Sequence, residues 1–430
     1  MRNDYSHAKA VLMTLLHLLR ISTTGAEHRS SNSVRKGIKK MLKRNAHGTK
    51  RLRMSILVCV FTFIFTAVAL VPVNVDAGVK TYNQKGSALK DYNTSKYKVV
   101  KNKNIGVKKF KKYDVYDVGD TEPHVLTPYK STVPVDVQTW VYLPKNFQRA
   151  GDMGNPQSLN VTPDGRYAYV VYPKMKDQNK KENICRIIRY DLKGLAELEV
   201  NVSGSMDDLR WTVNQVFKGK TLDERQKAIY ACVKVGPWIK MGHGAAVGYN
   251  PKDKHLWFTT KTGAYKTDLQ RINMKTFKPD YKINFKMSSY VSMGNNLTFD
   301  KKGNCYFYSY SGGSSWAPRG TIKIYRGKIN LKKKKKVRFN LVMTGIRYKV
   351  SNGIQSIGYN PKENRLYLAA DSALISVPVT KLNNKKMTKS DVRSVIFKEN
   401  REFEGISFDS AGNGYLLVNK QPELMQISGL

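Results

Sequence analysis

Gln157, Ala245, Asn295, Gln355 and Glu404 each stand five residues ahead of a polar residue that opens a turn, at Thr162, Asn250, Asp300, Asn360 and Asp409. Four of the five are polar and three are amides, in segments whose other positions are apolar or small. Amides with one carboxylate can hydrogen-bond a hydroxyl-rich molecule, so the set reads as a polar ring for a glycan or similar neutral ligand. His243 lies just upstream of the second copy, in "MGHGAAV", where the glycines let the backbone crowd the site. The alternative reading is internal: amides fill a channel so that no buried polar group goes unpaired. Trp238, Trp257 and Trp316 near strand ends are candidates for stacking on sugar rings, although Trp more often packs a core.

Catalytic chemistry finds less support. A glycosidase needs two carboxylates facing one bond, and Glu404 is the ring's single acid. Hydrolases that use a hard metal ion need several carboxylates around the site. Beyond the leader the histidines are His124, His243 and His255, with no metal-ligand spacing among them. "GGSSW" at 312–316 lacks the flanks of a nucleophile elbow. The sequence therefore predicts a binding protein with no catalytic residues, no metal site and no cofactor.

The ring needs elements to hold it, and these repeat. "LNVTPDGRYAYVVYP", "VGYNPKDKHLWFTT", "LTFDKKGNCYFYSY", "IQSIGYNPKENRLYLAADS" and "ISFDSAGNGYLLVN" each give a short apolar strand, a turn rich in Asn, Asp, Pro or Gly, and a second, aromatic strand. The turn residues are spaced by 88, 50, 60 and 49. A period near fifty with four strands per unit marks a β-propeller, which a two-sheet sandwich does not explain. "CRIIRYDL", "LQRINMKTF", "TIKIYRGKI" and "ALISVPVTKL" supply third strands; "DYKINFKM", "VRFNLVMT" and "VRSVIFKE" supply fourth, outer ones. The long first interval predicts a helical-hairpin insertion at about 203–235, its second helix opening with a capping box from Thr221 to Glu224. The last copy ends too soon for a fourth strand, and "VDVQTWVYLP" at 135–144 is free to fill that place from the other terminus, hiding an open edge. The expected fold is an all-β propeller over 133–430 with five four-stranded blades. "KKYDVYDV" and its neighbours leave room for a sixth.

Residues 1–77 read as a leader. Nine Lys/Arg and no acid lie between Arg35 and Arg53, before the apolar run "ILVCVFTFIFTAVALV". This is a secretory signal cut between Ala77 and Gly78, or, uncut, a membrane anchor that touches the bilayer through 56–73. Either way the rest of the chain is exported, to a secreted or cell-surface location. Met41 would start a more ordinary signal. Residues 78–132, rich in Lys and Tyr and weakly patterned, read as a partly flexible basic spacer.

The whole chain holds 75 Lys+Arg against 32 Asp+Glu, and residues 78–430 keep an excess of about 33 positive charges. Export excludes nucleic acid as partner, leaving anionic cell-wall polymers and lipid head groups, with attraction that weakens in salt. The run Lys332, Lys333, Lys334, Lys335 and Lys336, between a third and a fourth strand, marks a face for such a surface. Past the leader, Cys185, Cys232 and Cys305 are too few and too scattered for a disulfide framework, although one bridge stays open.

"GNPQSLNVTPDGRYAYVV", "GHGAAVGYNPKDKHLWF", "NGIQSIGYNPKENRLYLA" and "FEGISFDSAGNGYLLV", each with Gln, Glu or Ala ahead of its hairpin, resemble the secreted propeller proteins of lactic acid bacteria grouped around the large bacteriocin helveticin J. The resemblance covers about 150–430. It implies an antibacterial protein that docks on the envelope of related bacteria. The long basic leader and spacer depart from that pattern, and the alternative is a non-lethal adhesion or scaffold protein on the producer's own wall.

Overall fold

The computed structural model describes residues 78–91, 94–114, 121–144, 153–174, 184–288, 291, 293, 296–331 and 336–429. The leader, Asn295 and Lys332–Lys335 lie outside this set. Its strands form five sheets arranged as a β-propeller. Each sheet begins with one of the repeated hairpins. Counted from the innermost strand, sheet I holds Ser158–Val161, Tyr167–Pro173, Ile184–Asp191 and Val233–Val235. Sheet II holds Val247–Asn250, His255–Gly263, Lys266–Ile272 and Pro279–Lys286. Sheet III holds Thr298–Phe299, Asn304–Tyr310, Ile322–Asn330 and Lys336–Leu341. Sheet IV holds Ile354–Asn360, Arg365–Ala370, Ala373–Pro378 and Arg393–Phe397. Sheet V holds Phe403–Phe408, Gly414–Val418 and Glu423–Ser428, and takes Asp136–Tyr142 as its fourth strand in antiparallel register, as the sequence leads one to expect.

The turn residues work as their chemistry requires. Asp300 Oδ1 accepts from the amides of Lys302 and Asn304, and Asn360 Oδ1 from those of Lys362 and Glu363. Innermost strands of successive sheets touch along polar seams. Asn160 of sheet I imitates a backbone unit toward sheet II, donating to Val247 O and accepting from Tyr249 N. Ser407 of sheet V accepts from Val161 N of sheet I at 2.8 Å. Elsewhere glycine sets the spacing. A Cβ on Gly358 would lie 2.5 Å from the Ile406 carbonyl oxygen of the next sheet. Gly358→Ala is therefore expected to cost about 2 kcal/mol by overpacking a contact whose partner is backbone. Thermal unfolding checks this, and an unchanged midpoint would mean that the two sheets separate freely.

The insertion folds as two helices, Asp208–Phe217 and Glu224–Ala231, laid on the core of sheet I through Leu209, Val213 and Ile229. Its capping box is formed by Asp223 with Gln226, two residues later than Thr221 and Glu224, because Asp223 is the residue with extended backbone at the helix start. The second helix ends at Ala231, since Val233–Val235 leaves to pair with Ile184–Asp191 as the outer strand of sheet I.

The spacer expected at 78–132 is corrected by the structure. Lys80–Ser87 pairs parallel with the outer strand of sheet II, and Leu89–Asp91 with that of sheet III. Lys98–Val100 pairs with Thr344–Ile346 in sheet III. Val125–Leu126 and Pro128–Ser131 extend sheets V and IV. Ala88, Leu89, Val100 and Ile105 are buried, so this strap closes otherwise open sheet edges and joins the core. The described part of the folded unit includes residues 78–91, 94–114 and 121–132, ahead of residue 133.

Candidate functional site

The hairpin turns lie at one end of the innermost strands, so the start of each strand faces the other end. The loops joining second and third strands, and the crossings from one sheet to the next, reach that same end. There Gln157 and Glu404 are buried, Gln355 is half-buried and His243 is exposed. Gln157 packs beside Gly244, whose positive φ of 84° turns the chain between His243 and the strand of sheet II. Strand register thus puts Gln157, Gln355 and Glu404 at one end of their sheets, with Asn295 outside the described residues.

Two further carboxylates join Glu404, and repeat position does not single them out. Asp371 sits in the loop between the second and third strands of sheet IV; Glu402 lies on the crossing into sheet V. Burial is the main cause that pushes Glu404 up to about 8, with Glu402 and Asp371 adding their repulsion against a hydrogen bond from Asn419. Burial likewise lifts Asp371 to about 6, followed by Glu402. The premise of a single acid at this mouth is thus corrected: three carboxylates from two sheets share one electrostatic environment.

Their surroundings are specific. Asn419 Nδ2 donates to Glu404 Oε1 at 3.2 Å, and Lys420 Nζ lies 3.0 Å from Glu402 Oε2. Tyr113 reaches in from the strap and donates to Asp371 Oδ2 at 3.1 Å, with the Lys420 ammonium 3.4 Å from its ring centre. Asp114 fixes this piece of strap by exchanging hydrogen bonds with Asn400 at 2.7 and 2.9 Å. Desolvation by the surrounding protein lowers the pKa of His243 even though part of the residue is exposed, and Glu402 opposes that. Lys420 and Gln421 both have positive φ, as does Ser372 beside Asp371, so both loops hold backbone conformations that only a well-braced site maintains.

The tryptophans have other duties. Trp257 is fully buried and donates from Nε1 to Asp253, Trp316 packs edge-on against Tyr97, and Trp238 lies under the Arg186 guanidinium. Packing explains all three better than sugar stacking. Of the lysine run, Lys336 is exposed at the start of the outer strand of sheet III. Cys185, Cys232 and Cys305 are free thiols. A groove of about 440 Å³ opens on the opposite, turn end between sheets IV and V. Its Glu363 and Arg393 pair with each other at 2.9 Å, far from the mouth chemistry.

No family model matches the chain, and no curated protein matches it. Solved structures with which it aligns include a glucose dehydrogenase, 12% identical, covering 74% of this chain and all of that one with a TM-score of 0.34. The PQQ domain of pyranose dehydrogenase from Coprinopsis cinerea is 8% identical over 70% of this chain and 98% of its own, with a TM-score of 0.32. The soluble aldose sugar dehydrogenase of Escherichia coli is 10% identical over 69% of this chain and all of its own, also with a TM-score of 0.32. Likeness at that level carries nothing about ligand or reaction, so the function is argued from the chain's own residues.

Proposed function

We propose that the protein is an exported β-propeller that docks on anionic cell-envelope polymers through its basic exterior and binds a glycan-like ligand at the channel mouth. The observation that carries the docking is the strap. Between Lys80 and Lys112 it presents ten exposed lysines, at positions 80, 85, 90, 96, 98, 101, 103, 109, 111 and 112. One acid, Asp91, lies in that stretch of sequence. The strap lies along the outer edges of sheets II and III, where Lys286, Lys328, Lys336 and Arg338 are exposed as well. Charge of one sign gathered on one flank attracts a polyanion, and the attraction falls with ionic strength.

Sedimentation with isolated Gram-positive walls tests this. Bound protein is expected to drop at least tenfold between 50 and 500 mM salt, and changing Lys101, Lys103, Lys109, Lys111 and Lys112 to Gln is expected to weaken binding about as much at low salt. Binding indifferent to salt would remove the docking argument. The helveticin-like reading adds that docking is lethal to related bacteria, which a viability count decides against plain adhesion. We also take each of the five sheets as one blade. The polar seams from sheet I to II and from sheet V back to I support that count.

A further inference from the structure

We propose that the channel mouth takes its ligand by a primary ammonium group, as carried by an amino sugar, which donates to Asp371 while Glu402 and Glu404 supply further negative charge nearby. This deepens the reading of the mouth as a binding site and is independent of docking by the strap. The argument rests on which hydrogen-bonding capacity is left over. Asp371 Oδ1, Gln157 Oε1 and Gln421 Oε1 are buried without a hydrogen-bond partner, in residues that are 6%, 2% and 7% exposed. All three atoms only accept. The Gln157 amide is fixed in its orientation, because its Nε2 donates to the carbonyls of Asn155 and Pro156. Gln157 directly precedes the first strand of sheet I, next to the seam where Gly405 of sheet V packs against Leu159.

The local donors are already engaged: Tyr113 with Asp371, Asn419 with Glu404, and Lys420 with Glu402. A ligand that fits must therefore bring donors. It must also bring charge, since one lysine faces three carboxylates whose mutual repulsion favours the uptake of a proton. A sugar hydroxyl supplies donors alone. An ammonium supplies three donors and a positive charge at once, and the neutral amide of Gln157 suits a hydroxyl beside it. A cation that takes the place of a proton at the mouth binds more tightly as pH rises from 5 to 7, below the range in which an amino-sugar ammonium loses its own proton. The groups facing the site in that titration are Asp371 of sheet IV, Glu402 and Glu404 of sheet V, Lys420 of its loop, Tyr113 of the strap and His243 of the rim.

Calorimetric titration of the full-length protein with glucosamine, glucose and N-acetylglucosamine tests the proposal. At pH 7, glucosamine is expected to bind at least tenfold tighter than either neutral sugar, and this preference is expected to shrink at pH 5. Asp371→Asn with Glu402→Gln is expected to abolish the preference while leaving wall sedimentation unchanged. Glu404→Gln is expected to flatten the pH dependence. Equal binding of the three sugars, no heat with glucosamine at millimolar concentration, or a preference that survives the double variant would overturn the proposal. The comparison of sugars on the unaltered protein decides the matter even if a variant fails to fold. Loss of salt-sensitive wall binding alone would touch only the docking reading.

Discussion

Glu423→Gln is expected to cost the folded protein about 3–5 kcal/mol, because it strips one partner from a fully buried ion pair and leaves the other charge uncompensated. Glu423 opens the third strand of sheet V and pairs with Arg401, both side chains being 1% exposed or less. Its Oε2 accepts from Thr139 Oγ1 at 2.6 Å and lies 3.2 Å from His124 Nδ1. Thr139 belongs to the closing strand Asp136–Tyr142 and His124 to the strap before it, so one carboxylate ties the C-terminal strand to both N-terminal pieces. Burial alone would push Glu423 up; the His124 hydrogen bond, Arg401 and Thr139 outweigh it and hold the group below its ordinary value. A lowered folded pKa gives stability that is present above the unfolded value and is lost as pH falls through the folded one. Urea denaturation at pH 7 measures the effect. A loss under about 1 kcal/mol would show that the ring stays closed by backbone pairing alone. Replacing Arg401 and Glu423 together by Met is expected to recover part of the loss, since no charge is then left unpaired.

Glu404 carries the opposite sign. Its folded pKa of about 8 stands above the ordinary 4.5, so the folded protein prefers the protonated acid. The stability it confers is complete below about pH 4.5 and is lost as pH rises through 8, a window worth about 3–5 kcal/mol. Asp371, lifted to about 6, adds a loss in the lower part of the same window. The unaltered protein is thus expected to weaken between pH 5 and pH 9. Glu404→Gln, which keeps the shape and the Asn419 contact without the titration, is expected to flatten that slope and to be the more stable of the two at pH 9. Parallel curves for the two proteins would show that the acid at this position is solvated and ordinary.

Much of the architecture follows from local chemistry. Turn anchors such as Asp300 and Asn360 bond their own backbone two to four residues on, so the five hairpins are legible wherever the sequence writes them. Alternation in "DYKINFKM" and "VRFNLV" marks strands with one buried face, and they occupy 279–286 and 336–341 as the pattern requires. The ending of the last repeat after three strands exposes the need for a closing strand, and "VDVQTWVY" answers it. The strap was illegible for a physical reason. Its short strands are held by the open backbone edges of sheets II to V, so the pairing information belongs to its partners, and Lys-rich sequence around a few buried residues shows no period.

The site divides in the same way. Repeat register alone finds Gln157, Gln355 and Glu404, because equivalent positions of equivalent strands must share one end of a channel. Asp371, Glu402, Tyr113 and Lys420 are separated by up to about three hundred residues and sit in loops that differ between repeats. Only the closing of the ring brings sheet IV, sheet V and the strap to one mouth, and only there do burial and mutual repulsion lift Glu404 and Asp371. The sequence by itself determined the repeating strands, the excess of positive charge and one acid of the mouth, since these depend on residue type and spacing. Tertiary structure decided that a basic protein carries a buried acidic cluster, because electrostatics depends on distance in space and not on distance along the chain.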